Sequence, residues 1–221
     1  TKLSGANDVF VSGRYAYVTA YGGTSLTVVD VSNPSSPAIV GTLNDSTNLN
    51  NPRDVFVSGR YAYVTSGTSS HFTVVDVSNP ASPVVAGTTA SITSTTGVFV
   101  SGRYAYVVSN SGNSLSVIDV NNPFSGNLRI VGSLTDATNL KAPYSVFVSG
   151  RYAYIASTNG NTVTAVDISN PASPVIVGIA TSTTDLNVDN TNTIFVSGRY
   201  AYVASVSSKL TIVDLQGSDF S

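Results

Sequence analysis

Short apolar runs separated by glycine, proline and asparagine occur along the whole chain. In the first fifty residues these runs cover positions 9–11, 15–18, 26–31 and 38–40. Runs of this length that are rich in Val, Ile, Tyr, Phe and Thr are typical of β-strands. Several are apolar on both faces, which indicates sheets that are covered on both sides. The pattern predicts an all-β protein.

The first three strands of this pattern recur five times, and the fourth strand recurs in the first four copies. Each copy contains the string Val-Ser-Gly-Arg-Tyr-Ala-Tyr, and its arginines are 43 to 48 residues apart. A string ending in Val-Asp or Ile-Asp follows 15 or 16 residues after each arginine, and an Asn-Pro-x-Ser-Pro segment follows in the first, second and fourth copies. Four strands per unit at this period are typical of β-propeller blades, which pack radially and close into a ring.

We therefore predict an all-β, five-bladed β-propeller with four-stranded antiparallel blades in a single domain, residues 1–221. The repeats cover about 1–43, 44–87, 88–133, 134–179 and 180–221. The fifth copy ends before an outer strand, so the segment 209–215 is predicted to be an exposed edge. Two interpretations remain open. In the first, the edge is covered by a neighbouring chain in a self-assembly or by sequence outside these 221 residues. In the second, the last blade is three-stranded and is protected by its outer position and by Lys209 and Asp214.

The Tyr-Ala-Tyr-Val strings, the Val-Val-Asp-Val strands and the Asn-Pro-x-Ser-Pro segments resemble LVIVD-repeat β-propellers, which are related in pattern to YVTN surface-layer propellers. This resemblance covers nearly the whole chain. It implies a β-propeller fold and an association with exported and cell-surface proteins.

An arginine opens the second strand of every repeat and an aspartate closes the third. Because the two strands are antiparallel, both side chains should lie at the same end of the blade. We interpret them as structural ion pairs, with a ring of charge around one face as the alternative. The predicted pairs are Arg14 with Asp30, Arg60 with Asp76, Arg103 with Asp119, Arg151 with Asp167 and Arg199 with Asp214.

Composition narrows the chemistry. Charged residues make up 10% of the chain and the net charge is −2, which argues against nucleic-acid binding. Without cysteine or glutamate, and with His71 as the single histidine, we expect no zinc site, no catalytic residues and no cofactor, and therefore no enzyme. Asp185 and Asp189 offer oxygen ligands for calcium as a weak alternative. No apolar run is long enough to form a transmembrane segment.

The loops on one face of the predicted propeller vary between repeats, whereas those on the other face are nearly constant. Variable loops on a repeated scaffold favour binding. We predict a non-enzymatic, extracellular or cell-surface module for adhesion, recognition or assembly with a protein or glycan partner; the alternative is a lectin-like glycan-binding propeller. The candidate ligand-binding residues are Tyr21, His71, Asn110, Asn113, Asn159, Asn161 and Lys209.

Overall fold

The structure is a computed structural model that describes residues 3–69, 71–89, 92–125, 128–181, 191–205 and 209–216. These residues form nineteen β-strands and a single 3-10 turn, Pro123–Ser125. The strands form five separate antiparallel sheets, and in each sheet the strands are neighbours in the order in which they occur along the chain. The predicted all-β, five-bladed propeller is confirmed.

Four blades contain four strands and the fifth contains three, as predicted. The first two blades consist of β1 (Ala6–Ser12), β2 (Tyr15–Ala20), β3 (Ser25–Asp30), β4 (Ala38–Asn44), β5 (Pro52–Ser58), β6 (Tyr61–Ser66), β7 (Phe72–Asp76) and β8 (Val84–Thr88). The remaining three consist of β9 (Thr95–Ser101), β10 (Tyr104–Ser109), β11 (Ser114–Asp119), β12 (Arg129–Thr135), β13 (Pro143–Ser149), β14 (Tyr152–Ser157), β15 (Thr162–Asp167), β16 (Val175–Thr181), β17 (Thr191–Ser197), β18 (Tyr200–Ser205) and β19 (Lys209–Asp214).

The first strand of each blade lies innermost and borders the axis of the propeller. The phenylalanine at the centre of each of these strands contacts the next one, and consecutive ring centroids are 4.8 to 5.1 Å apart. The series runs through Phe10, Phe56, Phe99, Phe147 and Phe195. This run of rings is why every repeat carries a phenylalanine at this position.

Hydrophobic side chains fill the interfaces between consecutive blades. Val55 and Val57 on the inner strand of the second blade pack against Tyr17, Leu26 and Val28 of the first. Equivalent clusters lie between the second and third, the third and fourth, and the fourth and fifth blades. Each blade thus contributes its inner-strand face to the preceding blade and its second and third strands to the following one.

Two glycines on outer strands allow blades to approach closely. A Cβ atom at Gly41 would lie 2.1 Å from the carbonyl oxygen of Pro80, in the Asn-Pro loop of the next blade. A Cβ at Gly132 would lie 2.2 Å from the carbonyl oxygen of Pro171 in the same way. The repeated glycine and the repeated Asn-Pro segment are therefore parts of one contact.

The arrangement is open between the fifth blade and the first. Val9 and Val11 of the inner strand of blade 1 are 56% and 58% exposed, whereas the equivalent Val55 and Val57 are 2% and 5% exposed. On the other side of the opening, Leu210 and Ile212 are also exposed, although their counterparts in other blades are buried. We expected the blades to close into a ring; the five blades instead form an open arc.

Candidate functional site

A cavity of about 580 Å³ lies on the axis, where the inner strands begin. Its wall consists of the first half of the inner strands, including the phenylalanine run. The polar residues of its lining include Asn7, Asp8, Arg53, Asp54 and Tyr144, and we call this group of five the axial mouth. Because strands β1, β5 and β13 begin here, the axial mouth opens on the face with the variable loops.

The axial mouth is the part of the inner strands that does not repeat. The two positions that precede the shared Val-Phe-Val or Ile-Phe-Val segment are Asn-Asp in blade 1 and Arg-Asp in blade 2. They are Thr-Gly, Tyr-Ser and Asn-Thr in blades 3, 4 and 5. Charge at the mouth is therefore concentrated on the first two blades, which breaks the symmetry of the scaffold.

Arg53 lies between two aromatic rings. The centre of its guanidinium group is 5.4 Å from the ring centroid of Tyr21 and 5.9 Å from that of Tyr144. Gly67 makes space for it, since a Cβ at that position would lie 2.4 Å from Nε of Arg53. This Nε atom is buried and has no hydrogen-bond partner among the described residues. Two rings therefore flank the cation, and no ion pair with a carboxylate is found for it in the part of the chain that the structure describes.

Asp8 and Asp54 connect the blades at the mouth. The carboxylate of Asp8 accepts a hydrogen bond from the Val55 amide at 2.9 Å, and that of Asp54 accepts one from the Val98 amide at 2.7 Å. Burial raises the pKa of Asp54 well above its ordinary value, and the charge of Asp8 and a hydrogen bond between the two carboxyl groups raise it further. A protonated carboxyl group can therefore donate a hydrogen bond here at a pH where most aspartates are ionised.

Of the seven predicted ligand-binding residues, only Tyr21 contacts an axial-mouth residue among the contacts described above. Asn113 and Asn161 adopt a left-handed backbone with φ of 48° and 50°, which favours asparagine over most residues at the end of a hairpin loop. The side-chain oxygen Oδ1 of Asn113 also accepts a hydrogen bond from the backbone amide of Ala142 at 2.9 Å. These two asparagines therefore shape their loops.

Three of the other predicted residues, Asn110, Asn159 and His71, are not among the residues that line the cavity. Asn110 is half-buried, and its backbone amide donates a hydrogen bond to the carbonyl oxygen of Ser94. Asn159 is exposed. His71 is half-buried, and the Nδ1 atom has no hydrogen-bond partner among the described residues. For Lys209 the structure describes the backbone, which pairs with Ser205. Asn110, Asn159 and His71 thus lie in loops outside the axial mouth, whereas Lys209 begins β19.

The weak calcium alternative, Asp185 and Asp189, lies outside the described residues. Within the described part of the chain, no group of three or more histidine, cysteine or acidic side chains is arranged to hold a metal ion. The carboxylates of Asp45 and Asp136 each accept hydrogen bonds from the backbone amides two and three residues further along the chain. Each also accepts one from the side chain of the asparagine three residues further along. Those two carboxylates are thus engaged in turns.

All five predicted arginine–aspartate pairs are in contact at the face opposite the axial mouth. Each aspartate also accepts the backbone amide two residues further along, as Asp30 does from Ser32 at 2.9 Å. The hydrogen bond from Arg60 lowers the pKa of Asp76 to about 2, and the one from Arg151 lowers that of Asp167 to about 2. Each carboxylate therefore fixes the turn after its strand, and no pair leaves an unbalanced charge.

Sequence reasoning missed Asp8, Arg53, Asp54 and Tyr144 because the inner strand was predicted to begin at the valine. The strand in fact begins up to three residues earlier, at Ala6 in blade 1 and Pro52 in blade 2. Comparing the repeats position by position just before the shared valine would have revealed them. The charges differ there between copies that are otherwise nearly identical.

The sheets, their radial order and the axial cavity define a β-propeller. The LVIVD repeat model matches residues 5–45, 51–90, 93–133, 143–182 and 190–221, so the chain belongs to the LVIVD repeat family. No functionally curated protein matches the chain. No helix in the described ranges is both long and apolar enough to cross a bilayer.

Three solved structures illustrate the fold similarity. A protein of unknown function from Desulfotomaculum acetoxidans is 16% identical with a TM-score of 0.73, over 95% of this chain and 69% of its own. A provisionally named 6-phosphogluconolactonase from Bacteroides uniformis is 14% identical with a TM-score of 0.73, over 90% and 63%. The periplasmic gluconolactonase of Pseudomonas aeruginosa is 19% identical with a TM-score of 0.68, over 79% and 53%.

These similarities correct one prediction. We expected no enzyme because the sequence lacks the usual convergence of titratable residues. That prediction is wrong, since several similar structures bear lactonase names. The physical reason is that a propeller brings residues from different blades together at its axis, where spacing along the chain does not reveal them. Asp8 and Asp54 are 46 residues apart in sequence, yet Asp8 is close enough in the fold to raise the pKa of Asp54.

Proposed function

We propose that this chain is a recognition module that binds an acidic segment of a partner protein on the variable-loop face, with the axial mouth at its centre. The observation that carries this proposal is the position of Arg53, a cation held between two tyrosine rings at an entrance that no other blade reproduces. The propeller fold and the LVIVD repeats favour an interaction module as well.

The geometry around Arg53 is suited to a carboxylate ligand. A guanidinium group presents several N–H donors in a fixed fork and pairs with a carboxylate through two parallel hydrogen bonds. The flanking rings hold the side chain in position before the ligand arrives, which reduces the entropy lost on binding.

Titration with defined acidic probes tests the proposal. We would measure binding of a polyglutamate peptide by calorimetry to the native chain and to the variants Arg53→Gln, Arg53→Lys and Arg129→Gln. Arg129 is an exposed arginine on β12, so its variant changes the net charge equally without touching the mouth. We expect Arg53→Gln to weaken binding by about tenfold to a hundredfold, the usual strength of a charge-assisted hydrogen bond.

Arg53→Lys should fall between the native chain and Arg53→Gln, because lysine keeps the charge but loses the planar fork. Equal weakening by Arg129→Gln and Arg53→Gln would reduce the effect to net charge and contradict the proposal. Absence of binding to the native chain would also contradict it.

A lectin-like function is the second candidate, and the exposed ring of Tyr21 favours it. An aromatic ring next to a cation, with Asn7 and two carboxyl groups nearby, suits an acidic sugar, which combines an apolar ring face with hydroxyl and carboxylate groups. Substituting an oligogalacturonate for the peptide in the same titration separates the two candidates. Tighter binding of the oligogalacturonate, lost in both Arg53→Gln and Tyr21→Ala, would favour the sugar.

The lactonase names of the similar structures extend the sugar candidate to catalysis. Hydrolysis of gluconolactone converts an ester into a carboxylate and releases a proton at neutral pH, so a pH indicator follows it directly. Asp54, whose pKa is raised by burial and by the neighbouring Asp8, is the group in this chain that would exchange that proton. If the chain hydrolyses the lactone, Asp54→Asn should slow the reaction and Asp136→Asn, in a distant turn, should not.

We further propose an extracellular or cell-surface setting, which the family resemblance supports. Protease treatment of intact cells tests it, because a cytoplasmic chain would survive while a surface chain would be cleaved.

A further inference from the structure

Two apolar surfaces flank the opening of the arc. We call the surface around Val9 and Val11 the leading face and the surface around Leu210 and Ile212 the trailing face. The trailing-face residues are 66% and 56% exposed, whereas the equivalent Leu26 and Val28 of blade 1 are fully buried. Four exposed aliphatic side chains at positions that other blades bury indicate two unfilled interfaces.

The chemistry of what covers these faces follows from the four interfaces that are filled. In each of them, a Val-x-Val or Ile-x-Val inner strand of one blade packs against the second and third strands of the blade before it. The trailing face has the side chains that receive such an inner strand, and the leading face is such an inner strand. Each face therefore fits a blade of this same repeat.

The size of the opening follows from the fold comparisons. The D. acetoxidans protein matches 95% of this chain with 69% of its own length, and the B. uniformis protein matches 90% with 63%. At the period of this chain, the remaining third of those proteins corresponds to about two blades. A second copy of this chain has five blades, which exceeds that space.

We propose that the open arc is completed by a two-blade segment of the same repeat type, which covers the trailing face with its first inner strand and the leading face with its second blade. The resulting ring has seven blades, within the usual range for propellers. The same segment supplies the outer strand that pairs with β19. The edge of the fifth blade and the two apolar faces are then parts of one docking surface.

The absence of cysteine allows a direct test with single-cysteine variants. Val9→Cys and Ile212→Cys place a thiol on the leading and trailing faces, and Val55→Cys and Val74→Cys place it at the equivalent buried positions. We would measure the rate of maleimide labelling at several protein concentrations. In the 221-residue chain, we expect the first two variants to label quickly and the last two slowly.

The same variants are then made in an extended chain, with a copy of residues 31–135 placed directly after Asp214. Asp214 is equivalent to Asp30, so the copy begins with an outer strand for blade 5 and continues with two complete blades. We expect Val9→Cys and Ile212→Cys to become as slow as Val55→Cys. A matched control extension carries Asp in place of its copies of Val55 and Val57 and should leave Ile212→Cys fast.

Fast labelling of Val9→Cys in the intact extended chain, with Val55→Cys still protected to show that the blades are folded, would overturn the proposal. Slow labelling of Val9→Cys and Ile212→Cys in the 221-residue chain would also overturn it: independence of concentration would mean that the five blades close by themselves, and dependence on concentration would mean that a second copy covers the faces. Hydrogen exchange of β19 in the unsubstituted extended chain provides an independent readout, and we expect its amides to become protected.

Discussion

At the scale of single residues, side chains that recur in every blade have structural roles, and charged side chains that do not recur are candidates for a functional role. The arginine–aspartate pairs occur in all five blades, and every one of their carboxylates is satisfied by a guanidinium group and a backbone amide. Arg53 occurs once, at the axis, and an aspartate follows this position in only two of the five blades, as Asp8 and Asp54. A side chain that is required for the blade must recur with it, so the charged residues without copies are the candidates for recognition.

Asp54 and Asp76 should affect stability with opposite dependence on pH. The pKa of Asp54 is raised on folding, so its stabilising contribution is present below the unfolded pKa and is lost as the pH rises through the folded value. The pKa of Asp76 is lowered to about 2, so its contribution is present above the unfolded pKa and is lost as the pH falls toward 2.

We therefore expect the Asp54→Asn variant to become more stable relative to the native chain as the pH rises from acid to neutral, because the native chain loses the contribution of Asp54 over this range. The free energy of unfolding of Asp76→Asn should lie below the native value at neutral pH and approach it near pH 2. Denaturant unfolding at a series of pH values measures both. Parallel pH profiles for the two variants would contradict the assigned environments.

At the scale of strands and blades, the repeated motifs encode contacts between blades as well as turns within them. Gly41 on an outer strand receives the backbone of Pro80 and Ala81 from the next blade. The inner-strand valines pack against the preceding blade, which is why their exposure depends on whether a blade precedes them. Each motif therefore has a partner in a neighbouring copy.

Gly41→Ala tests this contact. The added methyl group would overlap the carbonyl oxygen of Pro80, and backbone cannot move aside as a flexible side chain would. We expect a loss of about 1–3 kcal/mol in the free energy of unfolding, the usual cost of overpacking. Thr42→Ala on the same strand is the control and should cost less, since the Thr42 hydroxyl has no hydrogen-bond partner within the described ranges. A neutral Gly41→Ala would mean that the blades can separate there.

At the scale of the whole molecule, the sequence could predict the blades but not the arc. The strands, their order and the three-stranded last blade follow from local patterns that recur in each copy. Whether the blades close into a ring depends instead on the angle between consecutive blades. This angle arises from packing between blades, and the sequence of a single repeat does not indicate it. Likewise, the pairing of Asp8 with Asp54 arises only when two inner strands meet at the axis, and Tyr144 approaches Arg53 from another blade.

The central claim is that recognition occurs at the axial mouth. Hydroxyl-radical footprinting of the native chain with and without the polyglutamate peptide tests it most directly, because tyrosine rings react strongly and the two faces carry different ones. The account predicts protection of Tyr21 and Tyr144 at the mouth, with Tyr15 and Tyr200 on the opposite face unchanged. Protection of Tyr15 and Tyr200, with Tyr21 and Tyr144 still reactive, would contradict it.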